Sequence, residues 1–118
     1  MHVRFRCHAP GEVWAEWQPD ERWKSYDGTL HGGIAASLLD AAMVHALFSL
    51  GHRAVTASLD LRFRRGVRLG FPVEIEACRV GEGHGLHRME ATLSQGAEVC
   101  VRAEARFMET AIINSESS

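Results

Sequence analysis

Residues 34–50 read IAASLLDAAMVHALFSL, a run without Lys, Arg or Glu in which Ser37, Asp40, His45 and Ser49 are the polar positions. A run of this kind predicts a helix, and one that is apolar on nearly every side must be enclosed, because a helix facing water keeps a charged flank. Lipid is the weaker enclosure. At about 1.5 Å per residue the run barely spans a bilayer, and a central aspartate costs roughly 2.5–3.5 kcal/mol there. Protein is therefore expected around the helix, with no membrane contact. Gly51 supplies a C-terminal stop, and Asp27-Gly28 a turn ahead of the helix.

The period changes after Gly51. Val55, Ala57, Leu59, Leu61 and Phe63 alternate with Thr56, Ser58, Asp60, Arg62 and Arg64, which predicts a long half-buried strand. Val73, Ile75 and Ala77 against Glu74 and Glu76 predict a second, with a bulge near residues 78–80 where the phase shifts. Two more follow, His87 to Leu93 and Val99 to Phe107, each alternating with charged or polar residues, and glycines punctuate the spaces between. Four long strands with short connections predict an antiparallel meander, since parallel pairing needs crossovers of about a dozen residues. Upstream, Val3, Phe5 and Cys7 alternate with Arg4 and Arg6, residues 12–17 read as another strand, and the polar tail 114–118 is expected to fray. The fold class is α+β, a curved antiparallel sheet wrapped around one hydrophobic helix. Periodicity leaves two arrangements open, a hot-dog fold or a cone of the cystatin or nuclear-transport-factor type.

A chain of 118 residues has room for one domain, 1–118, and none for a separate cofactor domain. A formal net charge of -2, with Lys24 as the one lysine, gives no field for a nucleic-acid partner. Cys7, Cys78 and Cys100 are odd in number and without CxxC spacing, so reduced core thiols are expected. The opening residues lack a charged stretch, apolar run and cleavage site, and a cytoplasmic location is expected. His84 and His87, in HGLH, lie at an expected turn without a third ligand, so no metal site is expected.

Chemistry concentrates where Leu30-His31-Gly32-Gly33 runs into the helix and an acid, Asp40, follows inside it. The first turn of a helix carries backbone N–H groups without intrahelical partners and the positive end of the dipole, a setting that stabilises a developing oxyanion. A tight turn is the other reading of the two glycines. A carboxylate among Leu38, Leu39, Ala41 and Ala42 is unfavourable unless bonded or facing a cleft, so Asp40 is either functional or part of a structural network, with Ser37 one turn earlier on the same face. Gly32 and Asp40 are eight residues apart, about 12 Å along a helix. If both act on one substrate, Asp40 must come from a neighbouring subunit. That predicts a homodimer with two equivalent interfacial sites, and leaves room for a tetramer.

The string HGGIAASLLDAAM resembles the signature of the PaaI-type branch of hot-dog acyl-CoA thioesterases, and VTASLDLRF is similar to that family's first strand after its helix. The resemblance spans residues 28–108 and implies the hot-dog fold, antiparallel helices side by side in the dimer, and hydrolysis of an aryl- or short- to medium-chain acyl-CoA. It implies that the Gly32 amide, with Gly33, holds the carbonyl oxygen, that Asp40 is base or nucleophile, and that His31 orients the thioester. Ser58, eighteen residues after the acid, matches a water-positioning hydroxyl of part of the family. Some members carry an Asn six residues before the motif His, where this chain has Ser25, a weaker hydrogen-bonding group. Ser25, Ser37, Arg62 and Arg64 are the remaining candidates to meet substrate, the arginines through the phosphates of coenzyme A, unless they form a solvated strand edge. Coenzyme A is then part of the substrate, and no metal or redox cofactor is needed. His45 is read as a core or interface residue, and Trp14, Trp17 and Trp23 as acyl-pocket lining or helix cover. The competing function is a non-catalytic hot-dog module that binds acyl-CoA or an acyl carrier.

Overall fold

The computed structural model describes residues 3–25 and 28–112. The tail 114–118, expected to fray, lies outside them, as does Asp27 of the predicted turn; Gly28 takes φ +85. In chain order the elements are β1 (Arg6–Ala9), β2 (Glu12–Trp17), a 3-10 turn (Glu21–Trp23), α1 (Gly32–Ser49), β3 (His52–Phe63), β4 (Val73–Gly83), β5 (Leu86–Gln95) and β6 (Glu98–Ile112). All strand pairs are antiparallel, in the order β1-β2-β4-β5-β6-β3, and α1 packs on one face of the sheet.

The predicted four-strand meander holds for β4, β5 and β6 but not for β3. His84 (φ 54) and Gly85 (φ 77) make a two-residue hairpin between β4 and β5 with both central residues left-handed, the turn geometry that matches strand twist. The connection 64–72 is longer and crosses the sheet, so β3 joins the free side of β6 and becomes an edge strand.

Helix α1 buries a stripe of Ala35, Leu38, Leu39, Ala42, Met43, Ala46 and Leu47, the i, i+3, i+4 spacing of one helix face. Opposite lie the inward alternate residues of four strands: Val13 and Ala15; Val73, Ile75 and Ala77; Met89, Ala91 and Leu93; Val101, Ala103, Ala105 and Phe107. Small alanines in both layers let helix and sheet approach closely. By length and composition α1 is also apolar enough to cross a membrane; here its buried stripe lies on the sheet. Among the described residues nothing covers Val44 and Phe48 on the opposite flank of α1, and they stand 38% and 57% exposed.

Two of the register shifts in the sheet bear on the sequence reading. The shift expected near residues 78–80 falls between Arg79 and Gly81 in the pairing with β5. The second, between Thr56 and Ser58 in the pairing of β3 with β6, departs from the unbroken alternation read in the sequence. It decides which hydroxyl reaches the helix.

Candidate active site

The start of α1 is clamped from both sides. The Leu30 N–H donates to Val67 O at 2.9 Å and the His31 N–H to Trp23 O at 2.7 Å. His31 is the N-cap, in extended conformation, and its Nδ1 accepts the Gly33 N–H at 2.9 Å. A neutral ring in that role carries its proton on Nε2. Gly33 is thus engaged in capping, so the amide left to meet a ligand oxygen is that of Gly32, for which no partner exists among the described residues. A Cβ on Gly33 would come within 3.1 Å of the His31 ring, whereas one on Gly32 would meet the Phe63 ring at an ordinary 3.5 Å. The second glycine therefore leaves room for the capping ring.

Gly32 opens onto a cavity of about 340 Å³ whose lining includes Ser25, Thr29, Phe63, Arg64 and Arg65. Ser25 is anchored there, its N–H donating to Thr29 O at 2.8 Å and its Oγ to the same oxygen at 3.1 Å. Next to it a larger cavity of about 540 Å³ shares Arg65 and Gly66 and adds Arg68 and Phe71, with the Arg68 guanidinium 4.7 Å from the centre of the Phe71 ring. Arg65 pairs with Glu98 at 2.8 Å.

Asp40 lies in the middle of α1 on the uncovered flank, half-buried, and its Oδ1 accepts a hydrogen bond from Thr56 Oγ1 at 2.8 Å. Ser37 is exposed on that flank and donates back to Gly33 O at 3.0 Å, a bond internal to the helix. Ser58 is not the hydroxyl beside Asp40. Thr56 sits opposite Phe107, which is buried under the helix, whereas Ser58 sits opposite Arg106 on the outer face, in a shallow cavity with Asp60, Arg88 and Glu104. The extra residue at Ala57 turns the strand over between them, and counting along the chain cannot register that. The same phase places Arg62 opposite Arg102 on the outer face, away from Gly32, while Arg64 lines the cavity at the helix start.

The other candidates disperse. The exposed His45 ring stacks on Phe5 at 4.8 Å between centroids. Trp17 and Trp23 pack against the core margin, Trp14 faces His8, and none of the three lines the cavity at Gly32. Cys100 is buried and Cys78 half-buried, and burial raises both thiols above their ordinary range; Cys7 is exposed on β1 rather than in the core, and all three are free. His84 projects from its hairpin, while His87 turns inward beside Glu109.

One chain thus holds, about 12 Å apart, an amide at the helix start with no partner among the described residues and a carboxylate two turns further along. The sequence matches the family of the acyl-CoA thioesterase N-terminal domain over residues 19–108. It is 29% identical over 100 residues to human acyl-coenzyme A thioesterase 13, covering 83% of this chain and 71% of the relative. Among solved structures it is similar to a Streptococcus mutans protein bound to acetyl CoA, with TM-score 0.91 and 19% identity over 97% of this chain and 93% of the other. It is similar too to the phenylacetic acid degradation protein PaaI of Thermus thermophilus, with TM-score 0.85 and 21% identity over 92% and 93%. Matched through the helix and all the long strands, the chain belongs to the acyl-CoA thioesterases, thioester hydrolases built on the hot-dog fold.

Proposed function

We propose that the protein is a homodimer that hydrolyses small aryl- or short- to medium-chain acyl-CoA thioesters to the free acid and coenzyme A. The observation that carries this reading is the Asp40–Thr56 pair on an uncovered apolar flank, out of reach of the Gly32 amide in its own chain. Ala41, Val44 and Phe48 lie near Asp40 on that flank, and Leu59 and Phe63 are exposed on the helix-side face of the adjoining edge strand. Two such helices side by side and antiparallel bring Asp40 of one protomer to the partner's Gly32, with an isologous contact that repeats the site twice.

In that arrangement the thioester oxygen lies at the Gly32 amide, where the helix dipole favours the charge that develops on it. Thr56 holds one carboxylate oxygen of Asp40, and the other takes a proton from water. The hydroxide attacks the carbonyl carbon, the C–S bond breaks, and the thiolate of coenzyme A leaves and is protonated. Arg64, Arg65 and Arg68 surround the neighbouring cavities and suit its phosphates. No metal or redox cofactor takes part in this chemistry.

The solved relatives lend support in what they hold. A Streptococcus pneumoniae thioesterase was solved with coenzyme A, and two further structures of it carry single alanine substitutions of an aspartate and of a threonine numbered sixteen positions later. Asp40 and Thr56 have that spacing. A cytoplasmic setting belongs to the same reading, in keeping with three unpaired thiols.

The test is release of free thiol from a panel of aryl- and acyl-CoA thioesters, with sedimentation on the same samples. Asp40→Asn is expected to lower turnover by at least about two orders of magnitude, on the order of 3 kcal/mol of barrier, with the dimer intact. An active monomer would remove the shared site. Binding without turnover in the natural chain would mark a ligand-binding module, and would direct attention to Ser25.

A further inference from the structure

At the other end of α1, about 27 Å from Gly32 by helix rise, three side chains converge that the hydrolysis does not use. His52 opens β3, His87 is the second residue of β5, and Glu109 stands near the end of β6, the strand between them. The Glu109 carboxylate bridges the two rings, with Oε1 2.7 Å from His52 Nδ1 and Oε2 3.4 Å from His87 Nε2, and the ring centroids are 4.6 Å apart. One potential ligand atom from each residue falls within 4.8 Å of the others.

We infer that His52, His87 and Glu109 form a binding site for one divalent transition-metal ion of the zinc type per chain. Two imidazole nitrogens and one carboxylate oxygen are the donor set of three-ligand zinc sites that keep a fourth position for water. A tetrahedral ion with bonds near 2.0–2.1 Å holds its ligand atoms about 3.3 Å apart. Here the two carboxylate contacts are 2.7 and 3.4 Å and no pair of ligand atoms is more than 4.8 Å apart, a spread around that value. Burial suits the role as well. His87 is 2% exposed and forms the floor, whereas the side chains of His52 and Glu109 are 19% and 24% exposed, so an ion reaches them from solvent.

His87 supplies the second, independent observation. Among the described residues its Nδ1 is buried without a hydrogen-bond partner, and its Nε2 has only the long contact to Glu109. A buried polar ring so weakly held calls for an explanation, and an ion on Nε2 gives it a strong bond in place of a poor one. The sequence concealed the site because its ligands lie on three strands adjacent in the sheet but 35 and 22 residues apart in the chain. A bound ion would tie the edge strand β3 to β5 and β6, four residues before Thr56.

The test titrates the chelator-treated, untagged full chain with Co²⁺ and follows the visible bands of a tetrahedral cobalt site. Zn²⁺ competition and thermal unfolding follow on the same protein. The expected result is one equivalent per chain, displaced by Zn²⁺, with Tm rising as Zn²⁺ exceeds its Kd. Glu109→Gln, which keeps the carboxamide oxygen, and His52→Asn, at a partly exposed position, should each weaken binding more than tenfold and abolish the Zn²⁺-dependent rise in Tm. His84→Asn should change neither. Circular dichroism identifies which variants remain folded, and the folded ones decide the matter. No cobalt bands and no Tm rise at millimolar Zn²⁺ would overturn the proposal, as would binding that survives both Glu109→Gln and His52→Asn. Thiol release measured without added metal reads the thioesterase site separately, so neither result depends on the other.

Discussion

The two flanks of α1 both carry large apolar residues and are opposite in fate. Toward the sheet, Leu38, Leu39, Met43 and Leu47 are sealed under four strands; on the far side, Asp40 is half-buried beside Thr56, and Val44 and Phe48 are left exposed by the described residues. The sealed flank stabilises the fold through packing. The open flank is mixed, with Ser37 and Asp40 among its apolar residues, and exposing Val44 and Phe48 together with Leu59 and Phe63 of the adjoining strand is unfavourable for an isolated subunit. In the proposed dimer, the half-solvated Asp40 carboxylate would become enclosed by the second copy, where a catalytic carboxylate gains most from a low dielectric.

Substitutions on the two flanks should therefore separate stability from activity. The largest effect belongs to the sealed side: Leu39→Ala, at a position with no exposure, should lose about 2–5 kcal/mol of stability, read as a lower denaturation midpoint at unchanged m-value. On the open side, Phe48→Asp should leave the monomer folded but raise the dimer dissociation constant about 100-fold or more, roughly 2.7 kcal/mol. Sedimentation and thiol release should then fall off together on dilution; a variant that stays dimeric would place the interface elsewhere. Thr56→Val keeps the shape and removes the bond to Asp40, and should cut kcat about tenfold or more with little change in Tm. Ser58→Ala is the smallest, a change of less than about twofold in rate, and an effect as large as that of Thr56→Val would return the positioning role to Ser58.

Much of this was legible in the residues. The helix was expected over 34–50 and runs 32–49; residues 12–17 form the strand expected there, and the inward alternation of β4, β5 and β6 is that of the sequence. Asp40 and the His31-Gly32-Gly33 turn stood out because a lone acid and paired glycines contradict an apolar helix. Thr56 did not stand out. On β3 every second residue from Val55 to Phe63 is apolar, so an unbroken phase satisfied the pattern, and only the pairing with β6 shows the bulge that exchanges Thr56 for Ser58. The role of Gly33 was hidden for a related reason. Its demand comes from the ring of His31 folding back over the first turn, a contact that no spacing rule describes.

What the sequence by itself determined are the elements and their buried sides, because helix and strand periods are local and the hydrophobic effect acts on each alike. The tertiary structure decided what depends on partners distant in the chain. It placed β3 at the sheet edge, turned it over at Ala57, put Arg62 and Arg64 on different faces, and gathered His52, His87 and Glu109 at one point. Backbone pairing across a sheet is nearly blind to side-chain identity, so register and neighbour order are settled only when the whole core closes.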